Sequence, residues 1–321
     1  MTQEIFTYPT IKHPRKVFSR IGLALFLYFI IVYACSYAFG FLAFNFFPHF
    51  YNSNYFVWVN LVLSQYVIGI PVIRLTLIGL PTYKYAKEKM NFRQLFSAVI
   101  ICQALSYAGN LLGVTLNEAI SAALGKEIDN TVDTLIKNSN LLIVFLVVGI
   151  IGPVMEELVF RKFIIDRVRP YGEVLAVLFS GITFGMFHGN FYQLFYSAAI
   201  GIVLAYIYIR TKNIFYPIII HCVFNSISVL AQLLTKYSED NTLPEIIKIL
   251  ATIGYYMFSA AMLALTILGI IKFIKSVKKV YFIKNIYDIP KSRAFLYSAI
   301  NAGMILFVIT VLAEFAMSIF M

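Results

Sequence analysis

Charge is what this sequence has least of. Asp, Glu, Lys and Arg make up 13% of its 321 residues, against roughly 25% in a soluble globular domain. With 60% of the residues hydrophobic, there is too little charge to cover a water-facing surface, which excludes an ordinary soluble fold. Cysteine is also scarce. Cys35, Cys102 and Cys222 lie far apart in apolar runs, which excludes a disulfide framework and a CxxC zinc pattern and predicts three buried, reduced thiols. There is no low-complexity stretch, no internal repeat and no linker long enough to set off a soluble domain. The basic segment Met1–Arg20 runs into a long apolar stretch without a small-residue cleavage site, so the first span is expected to be retained.

Long apolar runs are abundant instead. A helix needs about 20 apolar residues to cross the hydrocarbon core. Nine candidate spans follow: Ile21–Phe47, Tyr55–Leu80, Leu95–Ile120, Leu141–Ile165, Glu173–His188, Phe191–Ile209, Ile214–Leu234, Ile246–Ile274 and Ala294–Phe320. Only Gly189-Asn190 separates the fifth from the sixth, so these two read either as separate spans or as a tight, bent hairpin, which makes eight the other count. The fold class is all-α, a polytopic membrane helix bundle.

Basic residues fall on alternate loops. Lys12, Arg15, Lys16 and Arg20; Lys84, Lys87, Lys89 and Arg93; Arg161, Lys162, Arg167 and Arg169; Arg210 and Lys212; and Lys272, Lys275, Lys278, Lys279, Lys284, Lys291 and Arg293 put 21 on one side. The other side has Lys126, Lys137, Lys236 and Lys248, while Arg74 stays within a span and can snorkel. This bias predicts a cytoplasmic N-terminus. It also accounts for the net charge of +11 without a nucleic-acid partner, because the positive residues flank the membrane. The loop Lys275–Arg293, with Tyr281, Phe282 and Tyr287, is expected to lie on anionic headgroups. Gly125–Asn140, of mixed charge, is expected to carry a short amphipathic helix.

Against this oily background a few polar residues stand out. Glu156, Glu157 and Arg161 end an apolar run in GPVMEELVFRKF, and His188 and His221 lie in later runs. Ionisable groups at membrane depth are functional candidates by default. Glu156 lies 14 residues before Pro170 and His188 lies 18 after it, so a turn at that proline brings them to similar depth, offset by roughly 6 Å. The charged turn itself is expected to project into the cytoplasm. His221 and Asn225 are i,i+4 and share a helix face, as do Phe184 and His188. Gly181 and Gly185 form a G-x-x-x-G that permits close helix approach. Glu157 stands four residues before Arg161, the favoured ion-pair order, whereas Glu156 points about 100° away. Glu156 is therefore the candidate acid or base, and Glu157 the partner of Arg161. Gln103, Asn110 and Glu314 are read as structural, and Tyr192 and Tyr196 as either belt or substrate-contacting residues.

These residues resemble the motifs of the CPBP family of intramembrane proteases, which includes the CAAX prenyl endopeptidases and the Abi group. E-E-x-x-x-R matches Glu156, Glu157 and Arg161; F-x-x-x-H matches Phe184 and His188; H-x-x-x-N matches His221 and Asn225. The resemblance covers roughly Leu141–Leu234 and divides the chain into 1–140 with three spans, a catalytic core at 141–234, and 235–321 with two. It implies hydrolysis of a membrane-associated peptide or protein near the cytoplasmic leaflet. Glu156 with His188 activates a water, and His221 with Asn225 stabilises the oxyanion. It implies either zinc held by Glu156, His188 and His221 with a position left for water, or a metal-free mechanism, H-E-x-x-H being absent. A prenylated substrate belongs to the eukaryotic members; the Ile/Phe/Lys-rich composition suggests a bacterial chain and an unprenylated substrate.

Taken singly, each motif has a plainer account. The acids and Arg161 make a helix-end ion cluster, His188 an interfacial residue beside Gly189, and His221–Asn225 an interhelical hydrogen-bonding pair. A silent scaffold that positions a partner membrane protein is the competing function. A transporter is disfavoured by the absence of inverted repeats and of paired Gly/Pro-interrupted spans.

Overall fold

The computed structural model describes residues 13–82, 86–128, 130, 135, 139–284 and 287–320. Among these, the long helices are α1 Pro14–Phe46, α2 Phe56–Thr76, α3 Phe92–Leu124, α4 Leu141–Tyr171, α5 Glu173–Phe187, α6 Phe191–Thr211, α7 Phe215–Glu239, α8 Glu245–Val277 and α9 Ala302–Phe320. Eight are long and apolar enough to cross a bilayer; α5 is not. Its 15 residues rise only about 22 Å, short of a hydrocarbon core of about 30 Å. With α6 it forms the bent hairpin that the Gly189-Asn190 break permits. The last span is also not continuous. A short helix, Lys291–Ser298, precedes α9, and Asn301 caps the new helix by accepting the Met304 N–H at 3.0 Å. Half of the segment expected to carry an amphipathic helix, Gly125–Asn140, falls outside the described residues.

Two helices change pitch for a readable reason. Apart from a later π stretch in α4, Leu158–Ile165, α2 is π-helical over Val62–Gly69 and α4 over Phe145–Ile151. Each stretch ends just before a proline, Pro71 and Pro153 respectively. Proline lacks the N–H that bonds four residues back, and its ring crowds that carbonyl. The widened turn absorbs both defects: Ile70 N–H reaches back to Gln65 O and Gly152 N–H to Val147 O.

Lipid tails are as apolar as leucine, so helix association in a bilayer relies on close packing more than on water exclusion. The main core draws on α1, α4, α5, α6 and α9, through residues such as Phe18, Leu25, Phe160, Phe184, Ala205 and Phe307. α5 and α6 approach closely. A Cβ on Gly181 would lie 2.7 Å from Ile202 N, and one on Gly185 would lie 2.5 Å from Leu194 O. α3 packs on α6 through Ala98, Cys102 and Leu204. α8 flanks the bundle against α3 and α7 with most of its surface exposed.

The charged turn between α4 and α5 does not project from the protein; that expectation is corrected. Asp166, Arg169, Tyr171 and Glu173 are all buried. Glu173 accepts hydrogen bonds from Arg169 (Nη2 at 2.7 Å), from Arg210, and from the Ile283 N–H at 2.8 Å. Asp166 accepts from the Tyr208 hydroxyl at 2.7 Å. The Ile289 N–H bonds to Tyr171 O at 3.0 Å, and Arg210 stacks over Tyr281 at 4.7 Å. The basic loop after α8 thus straps this end of the bundle. Sequence periodicity missed it because the partners lie 110 residues apart.

Candidate active site

The two adjacent acids of α4 approach the His221 ring from its two nitrogens, Glu156 from the cavity and Glu157 from behind it. Glu157 is fully buried behind the cavity wall. Its Oε2 lies 2.9 Å from Arg161 Nε, but that N–H is not aimed along the line, so the contact is an ion pair rather than an aligned hydrogen bond. Arg161 is as buried as Glu157; it donates from Nη2 to Gly201 O at 3.2 Å and lies over the Phe184 ring at 4.8 Å. The other carboxylate oxygen, Oε1, lies 2.9 Å from His221 Nδ1. A carboxylate only accepts, so Nδ1 carries the proton. Nε2 of that ring then faces Glu156 Oε2 at 3.7 Å. This Glu157–His221 contact is a link in the site that spacing did not announce.

His188 caps α5. Its Nδ1 lies 2.8 Å from Phe184 O, a carbonyl that the end of the helix leaves without a backbone donor. The carbonyl accepts, so Nε2 of His188 is left free to accept in turn. Phe184 orders both histidines. Its ring meets His188 edge-on at 4.9 Å and His221 at 5.6 Å.

Asn225 lies one turn beyond His221 on α7, and its Nδ2 donates to Val148 O at 2.9 Å. That acceptor exists because of Pro153. Gly152 N–H is spent on Val147, and the next residue has no N–H to offer. Val148 O therefore lacks both its α and its π partner, and a side chain from another helix supplies the donor.

Glu156, His188, His221 and Asn225 meet in one cavity of about 510 Å³, walled also by Tyr28, Tyr66, Phe184, Gln193, Tyr196 and Glu314. Glu156 stands 15 residues from each end of α4, roughly 20 Å from either. From there the cavity runs past Ser36, Asn60, Gln193 and Gln232, toward the end of the bundle away from the basic loops. Two residues change reading. Glu314, taken as structural, lines the cavity, accepts the Tyr33 hydroxyl and packs on Gly189 beside His188. Tyr33 lies 281 residues away in sequence, so spacing gave no signal. Tyr192 instead donates to Ile128 O at 2.9 Å. Among the described residues no three His, Cys, Asp or Glu side chains converge as a metal-binding group. Glu156, His188 and His221 share the cavity without forming a ligand set.

Residues 138–227 match the family model of the type II CAAX prenyl endopeptidases, Rce1-like. This stretch is similar to an Rce1-like domain. It takes in α4 to mid-α7, which carry all seven motif residues. Two curated relatives align with the chain. One is a Bacillus subtilis (strain 168) protein provisionally named as the membrane peptidase YdiL, 33% identical over 111 residues, which is 34% of this chain and 46% of the relative. The other is the membrane-embedded CAAX protease MroQ of Staphylococcus aureus (strain USA300), 34% identical over 94 residues, 27% of this chain and 38% of the relative. The chain thus spans less than half the length of either. No solved structure matches it. Outside the matched stretch, α1, α2 and α9 still contribute walls to the cavity.

Proposed function

We propose that this protein is an intramembrane endopeptidase that cleaves a membrane-associated peptide or protein at the Glu156 cavity. The observation that carries the reading is the convergence of Glu156, His188, His221 and Asn225 on one cavity inside a membrane bundle, within a segment that matches an endopeptidase family. Glu156 takes a proton from water while His188 Nε2 accepts the second water hydrogen and orients the oxygen. The new hydroxide bonds to the scissile carbonyl carbon, and the C=O pair moves onto oxygen. The second N–H of Asn225 and, in the imidazolium form, His221 Nε2–H donate to that oxyanion. As the C–N bond breaks, the proton held by Glu156 passes to the leaving amine. Glu157 and Arg161 act through His221 and Phe184 by fixing their orientation.

With the basic loops cytoplasmic, the reaction lies near mid-depth of the bundle, deeper than the cytoplasmic leaflet itself. The donor geometry favours water activation without a metal. Purified protein should then carry no stoichiometric zinc and keep its activity after exhaustive chelation; one zinc per chain, lost together with activity, would reverse that reading.

The primary test compares neo-termini in membranes from cells making the wild type and the Glu156→Ala variant at matched levels. Termini near membrane boundaries that vanish in the variant identify a protease and its substrate. Identical termini point instead to the silent scaffold.

A further inference from the structure

Several side chains in the cavity have no task in this scheme, and one of them stands beside the candidate base. Tyr66, on the π-helical stretch of α2, shares the cavity with Glu156, His188, His221 and Asn225. Its hydroxyl lies 3.1 Å from the point a Cβ on Gly152 would occupy, and Glu156 Oε1 lies 4.0 Å from that same point. Gly152 and Glu156 are i,i+4, on one face of α4. Glycine at 152 therefore makes room for a phenol to reach α4 one turn before the candidate base.

Buried tyrosine hydroxyls ordinarily find a partner. Tyr192 and Tyr208 donate to protein oxygens, and Tyr216 accepts the Met90 N–H. Tyr66 forms no hydrogen bond with any described residue. Its helix has been widened locally, a distortion frequent at functional sites, and its hydroxyl opens onto the space beside Glu156.

We propose that Tyr66 is a further catalytic residue, its hydroxyl donating a hydrogen bond to the oxygen that gains charge when water adds to the scissile carbonyl. The inference rests on the hydrolytic reading above. Tyr66 keeps its proton throughout. The water proton goes to Glu156 and then to the leaving amine, so the phenol changes only the energy of the tetrahedral intermediate.

The test uses the full chain in liposomes with a peptide substrate identified from the neo-termini. Tyr66→Phe keeps the ring and removes the donor. It should lower kcat about 100-fold with KM changed less than about twofold, the signature of an interaction made in the transition state. Gly152→Ala places a methyl group against the hydroxyl and should lower kcat by itself. Added to Tyr66→Phe it should cost little more, because the group it displaces is already gone. Wild-type kcat in Tyr66→Phe, or two losses that simply multiply, overturns the proposal. If Tyr66→Phe does not fold, 3-fluorotyrosine at position 66 keeps the shape and alters the donor; an unchanged kcat then overturns it. A wild type that cuts no more than Glu156→Ala defeats the hydrolytic reading and this proposal together, whereas a cutting wild type with an unaffected Tyr66→Phe defeats this one alone.

Discussion

Glu156 and Glu157 are chemically identical neighbours whose surroundings divide their work. Glu157 holds Arg161 and His221 in a fully buried cluster, while Glu156 faces the cavity with only a 3.7 Å approach to His221. Removing one partner of a buried pair strands the other charge, at about 3–5 kcal/mol. Glu157→Ala should therefore lower thermal stability by about that much, read from unfolding in detergent or nanodiscs. Glu156→Gln should leave stability within about 1 kcal/mol of wild type, as a substitution away from such networks does, while eliminating cleavage. If both variants unfolded at the wild-type temperature, the division of roles would be wrong. The sequence separated the two acids through the i,i+4 rule and the 100° offset. It could not find His221 on Glu157, because that contact spans 64 residues.

At the scale of the helix, Pro153 links backbone geometry to the site. It leaves Val148 O without a donor, and Asn225 crosses from α7 to fill the place. Pro153→Ala supplies a new N–H that competes for that carbonyl and lets the turn relax toward α. The expected result is unchanged or raised thermal stability with cleavage reduced at least about tenfold, since a misplaced oxyanion donor costs on the order of 100-fold. Retained activity would mean that Asn225 does not depend on this anchor. At the same scale, α5 and α6 touch through Gly181 and Gly185. Gly185→Leu should drive the helices apart, shift His188 and abolish cleavage, with lower stability in the same unfolding assay. The glycine spacing was legible, and so was the soft boundary at Gly189-Asn190. The π-turns were not, because hydrophobic period identifies a helix without fixing its pitch.

Across the whole molecule, seven of the nine long helices wall the cavity, including α1, α2 and α9 from outside residues 138–227. The opposite end is closed by the strap after α8, held on Glu173. Glu173→Gln leaves Arg169 and Arg210 without their carboxylate and should destabilise the protein by about 3 kcal/mol. It should also raise amide hydrogen exchange across residues 278–284; unchanged exchange there would show that the strap is held by something else. The expectation that the basic loop lies on headgroups followed from its composition, which does not reveal that the loop also has an acceptor buried inside the protein.

The sequence by itself determined the membrane bundle, because scarce charge and 20-residue apolar runs leave a chain few other ways to satisfy its backbone. It also determined the candidate acids, histidines and asparagine, because polar groups at membrane depth are few and i,i+4 spacing assigns them faces. Only the tertiary structure decided which of these groups touch. The Glu157–His221 link, the Asn225 anchor on Val148, the approach of Tyr66 to Gly152 and the entry of Glu314 into the cavity all join residues far apart in the chain. Such contacts depend on helix rotation and pitch, which are set by packing between helices that periodicity describes one at a time.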